Sequence, residues 1–381
     1  MDFSWSEEQL QLRTAAVEFA RKELNDDLIA RDGSGTFPRE LWNKCADFGV
    51  LGLPFPRAFG GQEMEILTTV LVMEALGSAT KDSGLLFGIN AQMWSVQMPL
   101  LGFGTDAQKK KYLTGLCQGE LIGAHGMSEP DSGSDAFGMR TTAVRDGDSY
   151  ILNGTKTFVS NAPVADLFIV FAVTDKKRGF MGIDSFIVET GTPGLTVGNP
   201  IPKMGLRTSP FSELSFEDCR VSAENHLGAE GQGSEIFEDS MEWERSFILA
   251  NYLGAMERQL QECVTYARSR RQFDRPISKF QAVSHKLANM KVRLETVRHL
   301  VYKVAWLKDQ KRSASVESAI SKLAVSEAWI QSCLDAVQIH GGYGYTTEYE
   351  VERDLRDSIG STLYSGTSEM MRNTIARHLR A

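Results

Sequence analysis

The chain has 381 residues, 42% of them hydrophobic and 24% charged, with a formal net charge of −8, enough apolar content to bury a substantial core. Its richest basic stretch, ARSRRQFDR at 267–275, is too short to drive counterion release, which argues against a nucleic-acid partner. No segment reaches the roughly 20 apolar residues that span a bilayer, and the five scattered cysteines, Cys45, Cys117, Cys219, Cys263 and Cys333, suggest neither a disulfide framework nor a metal site but buried, reduced side chains.

The opening MDFSWSEEQLQLR lacks the basic start and apolar run of a signal peptide, so a cytoplasmic location is expected. Apolar positions then recur at helical spacing through EEQLQLRTAAVEFARKEL and LTTVLVMEALG, separated by the turn-rich FPRAFGGQ. From about residue 122 the pattern becomes β-rich, in SYILNGTKTFVSN, DLFIVFAVT, DSFIVET, GLTVG and SELSFEDCRV. Helical periodicity returns in one helix expected over about 234–268, in a second whose first turn Pro276 suits, and in a small-residue helix from Ala314 to about Ile339. The fold class read from this order is mainly α with a central β domain. The expected units are an N-terminal helical domain at 1–121, a middle β domain at 122–229 and a C-terminal helical domain at 230–381.

Three stretches stand out chemically. HGMSEPDSGSD at 125–135 gathers glycine, proline and hydroxyls in one loop, either donors for an acceptor-rich ligand or a solvent-facing turn. QIHGGYGY at 338–345 ends a helix with glycines that permit close backbone approach, or that merely cap it. LYSGTSEMMRN at 363–373 places hydroxyls and a glycine in a turn near the C-terminus. Neither glycine-bearing nucleotide fingerprint, G-x-G-x-x-G after a strand or a P-loop, is present.

The order and spacing of SEPDSGSD at 128–135, NGTKTFVSN at 153–161, RRQFDRPISKFQ at 270–281, QIHGGYGYTTEYEVERDLRD at 338–357 and SGTSEMMRNTIAR at 365–377 resemble the acyl-CoA dehydrogenase family over nearly the whole chain. The resemblance implies an N-terminal helical domain, a barrel-like middle β domain and a C-terminal four-helix bundle holding one FAD per subunit, in a homotetramer built as a dimer of dimers. It places the flavin against His125, Met127, Ser128 and Ser134, with Phe158, Val159 and Ser160 covering its ring. Arg270, Phe273 and Gln281 match residues that reach a neighbouring subunit's FAD. Gln338, Ile339, His340, Gly341 and Gly342 match the segment on its adenylate portion, and Thr367 and Glu369 match further cofactor contacts. Asp274 stands where the family usually has glycine, which puts that local turn in question.

The implied reaction removes a proton from the α-carbon of an acyl thioester and a hydride from the β-carbon, and it needs a carboxylate base with donors for the developing enolate. Many family members carry Glu immediately before the Gly-Thr of the catalytic turn, whereas this chain has Ser365. By periodicity, Glu244 lies on the apolar stripe of Phe237, Met241 and Ile248. Burial there would raise its pKa toward a useful range, although an edge position or an ion pair would fit the same pattern. Members of isovaleryl type place their base on this helix in a Glu-Arg pair, here Glu244 and Arg245, so the resemblance makes Glu244 the base. Ser365, Arg245 and Ser134 are then substrate contacts. Glu242 reads as a carboxylate on the polar face with Glu238.

The chain is also similar to the branch that oxidises aminoacyl thioesters, prolyl above all, on the phosphopantetheine arm of an acyl or peptidyl carrier protein. Desaturation there would be followed by isomerisation to a pyrroline thioester, with oxygen or an electron-transfer flavoprotein as acceptor. A branched- or short-chain acyl-CoA dehydrogenase is the alternative enzyme. A non-catalytic scaffold of the same fold is the alternative of another class, and nitroalkane or oxygen-insertion chemistry a third.

Overall fold

The computed structural model describes residues 4–380; the first three residues of the opening stretch and Ala381 lie outside them. Ser6 starts the first helix, Glu7–Glu23, with a reciprocal capping box to Gln9. The apolar run at 66–79 is a helix buried almost all round, as expected of a segment enclosed on every side. Its exposed first amides are capped from far along the chain, Asp309 accepting from the Ile66 and Leu67 N–H groups at 2.7 and 2.9 Å. On its other side it meets the helix Ala250–Ser269 at Gly77 and Gly254, where an added Cβ would lie 1.9 Å from the Asn251 and Glu74 carbonyl oxygens. That contact welds the N-terminal helices to the C-terminal ones.

The middle segment forms one eight-stranded sheet from β1 (Gly123–Gly126), β2 (Thr142–Asp146), β3 (Ser149–Ser160), β4 (Leu167–Val173), β5 (Ile183–Glu189), β6 (Leu195–Val197), β7 (Phe211–Ser222) and β8 (His226–Leu227). The order is β6-β7-β3-β2-β4-β5-β8, with β1 parallel to β4. β4, an unbroken apolar run, is buried along nearly its whole length, as a strand covered on both faces must be. β3 slips register between Lys156 and Val159 against β7, and this bulge carries Phe158.

Two local expectations are corrected. The single helix over 234–268 is two, Gly233–Phe247 and Ala250–Ser269, broken at Leu249 (φ −101°, ψ 7°). Phe247, Ile248, Leu249 and Ala250 are all buried; steps of about 100° on one straight helix would turn part of such a run outward, and the break lets all four face the core. Pro276 does not open the next helix, which begins at Gln281 and runs to Asp309. It belongs instead to a two-residue strand paired with Arg271–Gln272. The turn of that hairpin has positive φ at both Phe273 (49°) and Asp274 (60°), the geometry of a tight primed turn, in which Asp is tolerated where glycine is usual.

The remaining chain forms the helix Ser315–His340, the helix Val351–Gly360 and, after the hydroxyl-rich turn, the helix Ser368–Leu379. All five cysteines are buried and free, and no helix among the described residues is long and apolar enough to cross a membrane.

Candidate active site

A cleft of about 1460 Å³ opens between the sheet and the C-terminal helices. It exceeds the roughly 300–1,000 Å³ that serves one drug-sized ligand, so a large cofactor and a substrate fit side by side. The cleft gathers His125, Met127, Ser128 and Ser134 from β1 and the loop after it, Phe158 and Ser160 from β3, Glu244 and Arg245 from their helix, and Ser365 and Thr367 from the last turn. Residues up to 242 positions apart in sequence thus share one surface.

The loop after β1 is held by a buried ion pair that sequence reading did not single out. Lys156, fully buried, donates to Glu129 at 2.8 Å and to the Met127 carbonyl at 3.1 Å. Glu129 also accepts the Arg140 and Thr141 amides at 2.6 and 3.0 Å. Burial pushes the Lys156 ammonium down to about 8 despite the carboxylate. Burial works against Glu129 as well, but the Lys156 charge and the two amides hold it below the usual carboxylate range, so both stay ionised at neutral pH. The available signal was a Lys at an inward-facing position of NGTKTFVSN opposite a Glu in the glycine loop.

Next to this loop, where the Thr157 amide donates to the Ser128 carbonyl at 2.8 Å, the β3 bulge puts Phe158 at φ 55° and leaves it 63% exposed. A bulky residue in this region costs on the order of 1–3 kcal/mol and marks sites where geometry is imposed. An exposed aromatic ring beside the hydroxyls of Ser128, Thr157 and Ser160 suits a flat heteroaromatic edged with acceptors, and in that respect the residues present fit a flavin. Val159 is buried, paired with Ser212 of β7 and outside the cleft lining. His125 packs against Phe171 and Phe237, and burial pushes its pKa down to about 4, so it is a neutral wall of the cleft.

At the deep end Ser365 donates its hydroxyl to Glu244 Oε1 at 2.5 Å. Ser365 itself sits at φ 56°, followed by Gly366 at φ 90°. Two cations pin this turn by its carbonyls: Arg245 Nε donates to Ser365 O at 3.1 Å and Lys322 Nζ to Gly366 O at 2.6 Å. The Ser365 amide N–H has no hydrogen-bond partner among the described residues. Burial raises the pKa of Glu244, against the pull of the Ser365 hydroxyl, Arg245 and Lys322. Burial, with Arg245 adding to it, pushes Lys322 down to about 7. Lys322 is the second residue that sequence reading missed; its signal was a lone cation within the small-residue run SAISKLAVS.

The reading of Glu242 is corrected. It is not a carboxylate on a free polar face: it is paired with Lys308 and accepts the Ala314 amide at 3.0 Å, because the side of the helix that looks polar by periodicity packs against the ends of two neighbouring helices. Thr367 caps the last helix by accepting from Met370 N at 3.3 Å, and Glu369, in the first turn of that helix, is exposed and outside the cleft lining.

A second group does not join the first within one chain. Arg270, Phe273, Gln281, Gln338, Gly341 and Gly342 are exposed elsewhere on the C-terminal helices, with Phe273 87% exposed and Arg270 lying over the Tyr343 ring at 5.6 Å. Ile339 is buried. His340 is also buried, its Nδ1–H donating to Ala336 O at 2.9 Å and its ring stacked on Tyr266, so the backbone is what this segment presents.

With that geometry in place, family comparison assigns three consecutive regions: residues 6–120 match the N-terminal domain of acyl-CoA dehydrogenases, 124–219 the middle domain and 231–380 the C-terminal domain. The chain belongs to the acyl-CoA dehydrogenase family. It is 41% identical, over the full length of both chains, to an L-prolyl-[peptidyl-carrier protein] dehydrogenase of Pseudomonas fluorescens. Among solved structures it is similar to the prolyl acyl carrier protein oxidase AnaB, at 50% identity and a TM-score of 0.98 over 99% of this chain and all of that one. It is likewise similar to PigA, solved with FAD and proline, at 40% identity and a TM-score of 0.97 over all of this chain and 99% of that one.

Proposed function

We propose that the protein is an FAD-dependent dehydrogenase or oxidase of a prolyl thioester carried on the phosphopantetheine arm of a carrier protein, with Glu244 as the base. The observation that carries this reading is Glu244 itself, a carboxylate of raised pKa facing the cleft and bonded to the small Ser365. Together with the full-length likeness to carrier-dependent prolyl dehydrogenases, it favours an acyl group with bulk near the carbonyl.

In this reading the thioester carbonyl faces the unpartnered Ser365 N–H, which stabilises charge as it develops on the enolate oxygen. Arg245 and Lys322, holding the Ser365 and Gly366 carbonyls, fix the strained turn that presents that N–H. Glu244 takes the α-proton, and its buried setting makes the neutral acid an accessible product state. The loop 125–134, Phe158 and Ser160 would hold FAD, which when bound would supply the acceptor for the hydride leaving the β-carbon. Arg270, Gln281 and the backbone of 338–342 are assigned to a neighbouring subunit's cofactor in a homotetramer, with oxygen or an electron-transfer flavoprotein as the final acceptor. The five free, buried cysteines suit a reducing cytoplasm.

The test is mass spectrometry after incubation with prolyl-carrier protein, prolyl-CoA and isovaleryl-CoA, aerobically and anaerobically. Loss of two hydrogens from the prolyl thioesters is expected; loss from isovaleryl-CoA alone refutes the prolyl reading and leaves a branched-chain acyl-CoA dehydrogenase.

The hydrogen bond to Glu244 also has a pH signature. The Ser365 hydroxyl stabilises the ionised carboxylate, so Ser365→Ala raises the Glu244 pKa further. Because the base works ionised, the acid limb of kcat is expected to move to higher pH while the plateau rate falls modestly. An unmoved limb in single-turnover flavin reduction would separate that limb from Glu244.

A further inference from the structure

The segment between β4 and β5 reads KKRGFMG at 176–182, three cations and two large apolar residues in seven. Lys176, Lys177, Arg178, Phe180 and Met181 are all exposed, with Phe180 at 64% and Met181 at 61%. None of the three cations has a carboxylate partner among the described residues. In a chain of net charge −8, a compact patch of unneutralised positive charge around exposed apolar side chains is a local exception, and such patches mark interaction surfaces.

The patch is built, not loose. Its base is closed by Thr174 N donating to Gly182 O at 2.8 Å, and Asp175 accepts the Lys177 amide at 2.9 Å. Gly182 admits no side chain, since an added Cβ would lie 1.8 Å from Asp175 O. Ser234, at the start of the Glu244 helix, donates to Phe180 O at 2.7 Å. Phe180 packs edge-on against Phe137 at 4.9 Å, and Phe137 against Phe237 at 5.5 Å; the last two line the cleft. The loop is therefore continuous with the mouth of the active site.

Distance supports the same use. Ser234, which holds the loop, and Glu244, which faces the reacting carbon in the proposed reaction, are ten residues apart on one helix, ~15 Å by helical rise. That span matches the reach of an extended phosphopantetheine arm, with its thioester at Glu244 and its phosphate end at the loop. Glu235, Glu238 and Asp239, on the same helix, line the cleft, so the cationic loop stands next to carboxylates that repel a misplaced acidic partner, and docking is oriented by that contrast.

We propose that the loop Lys176–Gly182 is the docking surface for the carrier protein: its three cations meet an acidic face around the arm's attachment point, and Phe180 and Met181 seat against an apolar contact there. This inference rests on the carrier-bound thioester reading above and names the surface that serves it.

The experiment compares prolyl-carrier protein, prolyl-CoA and prolyl-pantetheine as substrates of the FAD-loaded enzyme, wild type against the charge-reversed K176E/K177E/R178E variant and against F180S/M181S. Both variants alter exposed side chains, and retained FAD content checks their folding. For the carrier-bound substrate kcat/KM is expected to fall by at least about tenfold through KM, with the salt dependence of the reversed variant lost; prolyl-pantetheine is expected to stay within about twofold. Unchanged kinetics with the carrier, or an equal loss on prolyl-pantetheine, overturns the docking role. A loss on prolyl-CoA as large as that on the carrier also overturns it, assigning the cations to the phosphates of a nucleotide tail. A wild type that oxidises prolyl-pantetheine yet gains nothing from the carrier overturns the docking surface alone, whereas one inert toward every prolyl thioester overturns the substrate reading and this inference with it.

Discussion

Replacing Glu244 by Gln is expected to leave a yellow protein that substrate no longer bleaches. Gln preserves the shape of the side chain and can still accept from the Ser365 hydroxyl, which now approaches Glu244 at 2.5 Å, so the turn and the cleft should stand. What disappears is the proton acceptor. General base catalysis contributes typically about 10²–10⁴-fold, and because Glu244 is the carboxylate bonded at the Ser365 turn, a loss at the upper end is expected. Glu242, the nearest competitor, is held by Lys308 and the Ala314 amide and has no freedom to take over. Anaerobic stopped-flow flavin reduction measures the loss directly, and FAD content measures integrity. Bleaching at a wild-type rate in the variant would remove Glu244 from the role of base.

The largest stability effect is expected away from the reacting atoms, at Lys156→Met. The substitution leaves Glu129 buried in the loop after β1 that walls the cleft, still bonded to the Arg140 and Thr141 amides but without its counter-charge. Breaking a buried pair from one side costs about 3–5 kcal/mol, because an unmatched charge remains in a poorly solvated place. Removing both partners, as Lys156→Met with Glu129→Gln, is expected to cost less than the sum of the single changes, and the difference is the coupling within the pair. Urea unfolding of the four proteins measures it, together with FAD release, which should rise in both variants that lack Lys156 because the Met127 carbonyl loses its donor there. Additive effects would mean that the pair is structurally independent.

Much of the architecture was legible along the chain because period and composition change where the fold changes: helical spacing before about residue 120, strand-like runs to about 227, helical spacing after 233. Glu244 was visible for a similar reason, as a carboxylate on the stripe of Phe237, Met241 and Ile248. The break at Leu249 was not visible, since a run of four apolar residues is compatible with one buried helix, and only the packing on both sides decides that all four must face inward. Pro276 misled because proline suits both a helix start and a hairpin strand, and the choice was made by the positive-φ turn at Phe273 and Asp274.

The sequence by itself determined the order of helical and β segments and most of the elements, and it placed Glu244 on an apolar helix stripe; the family resemblance added that a carboxylate is missing at the turn and that Glu244 replaces it. These depend on local periodicity and on residue identity, which the chain carries explicitly. Only the tertiary structure decided that Ser365 bonds Glu244, that Arg245 and Lys322 pin that turn by its carbonyls, that Lys156 neutralises Glu129 in the loop after β1, and that the basic loop 176–182 stands beside the cleft. Each of these joins residues from separate segments, and hydrogen bonds and ion pairs depend on separations of a few ångströms that no spacing along the chain encodes.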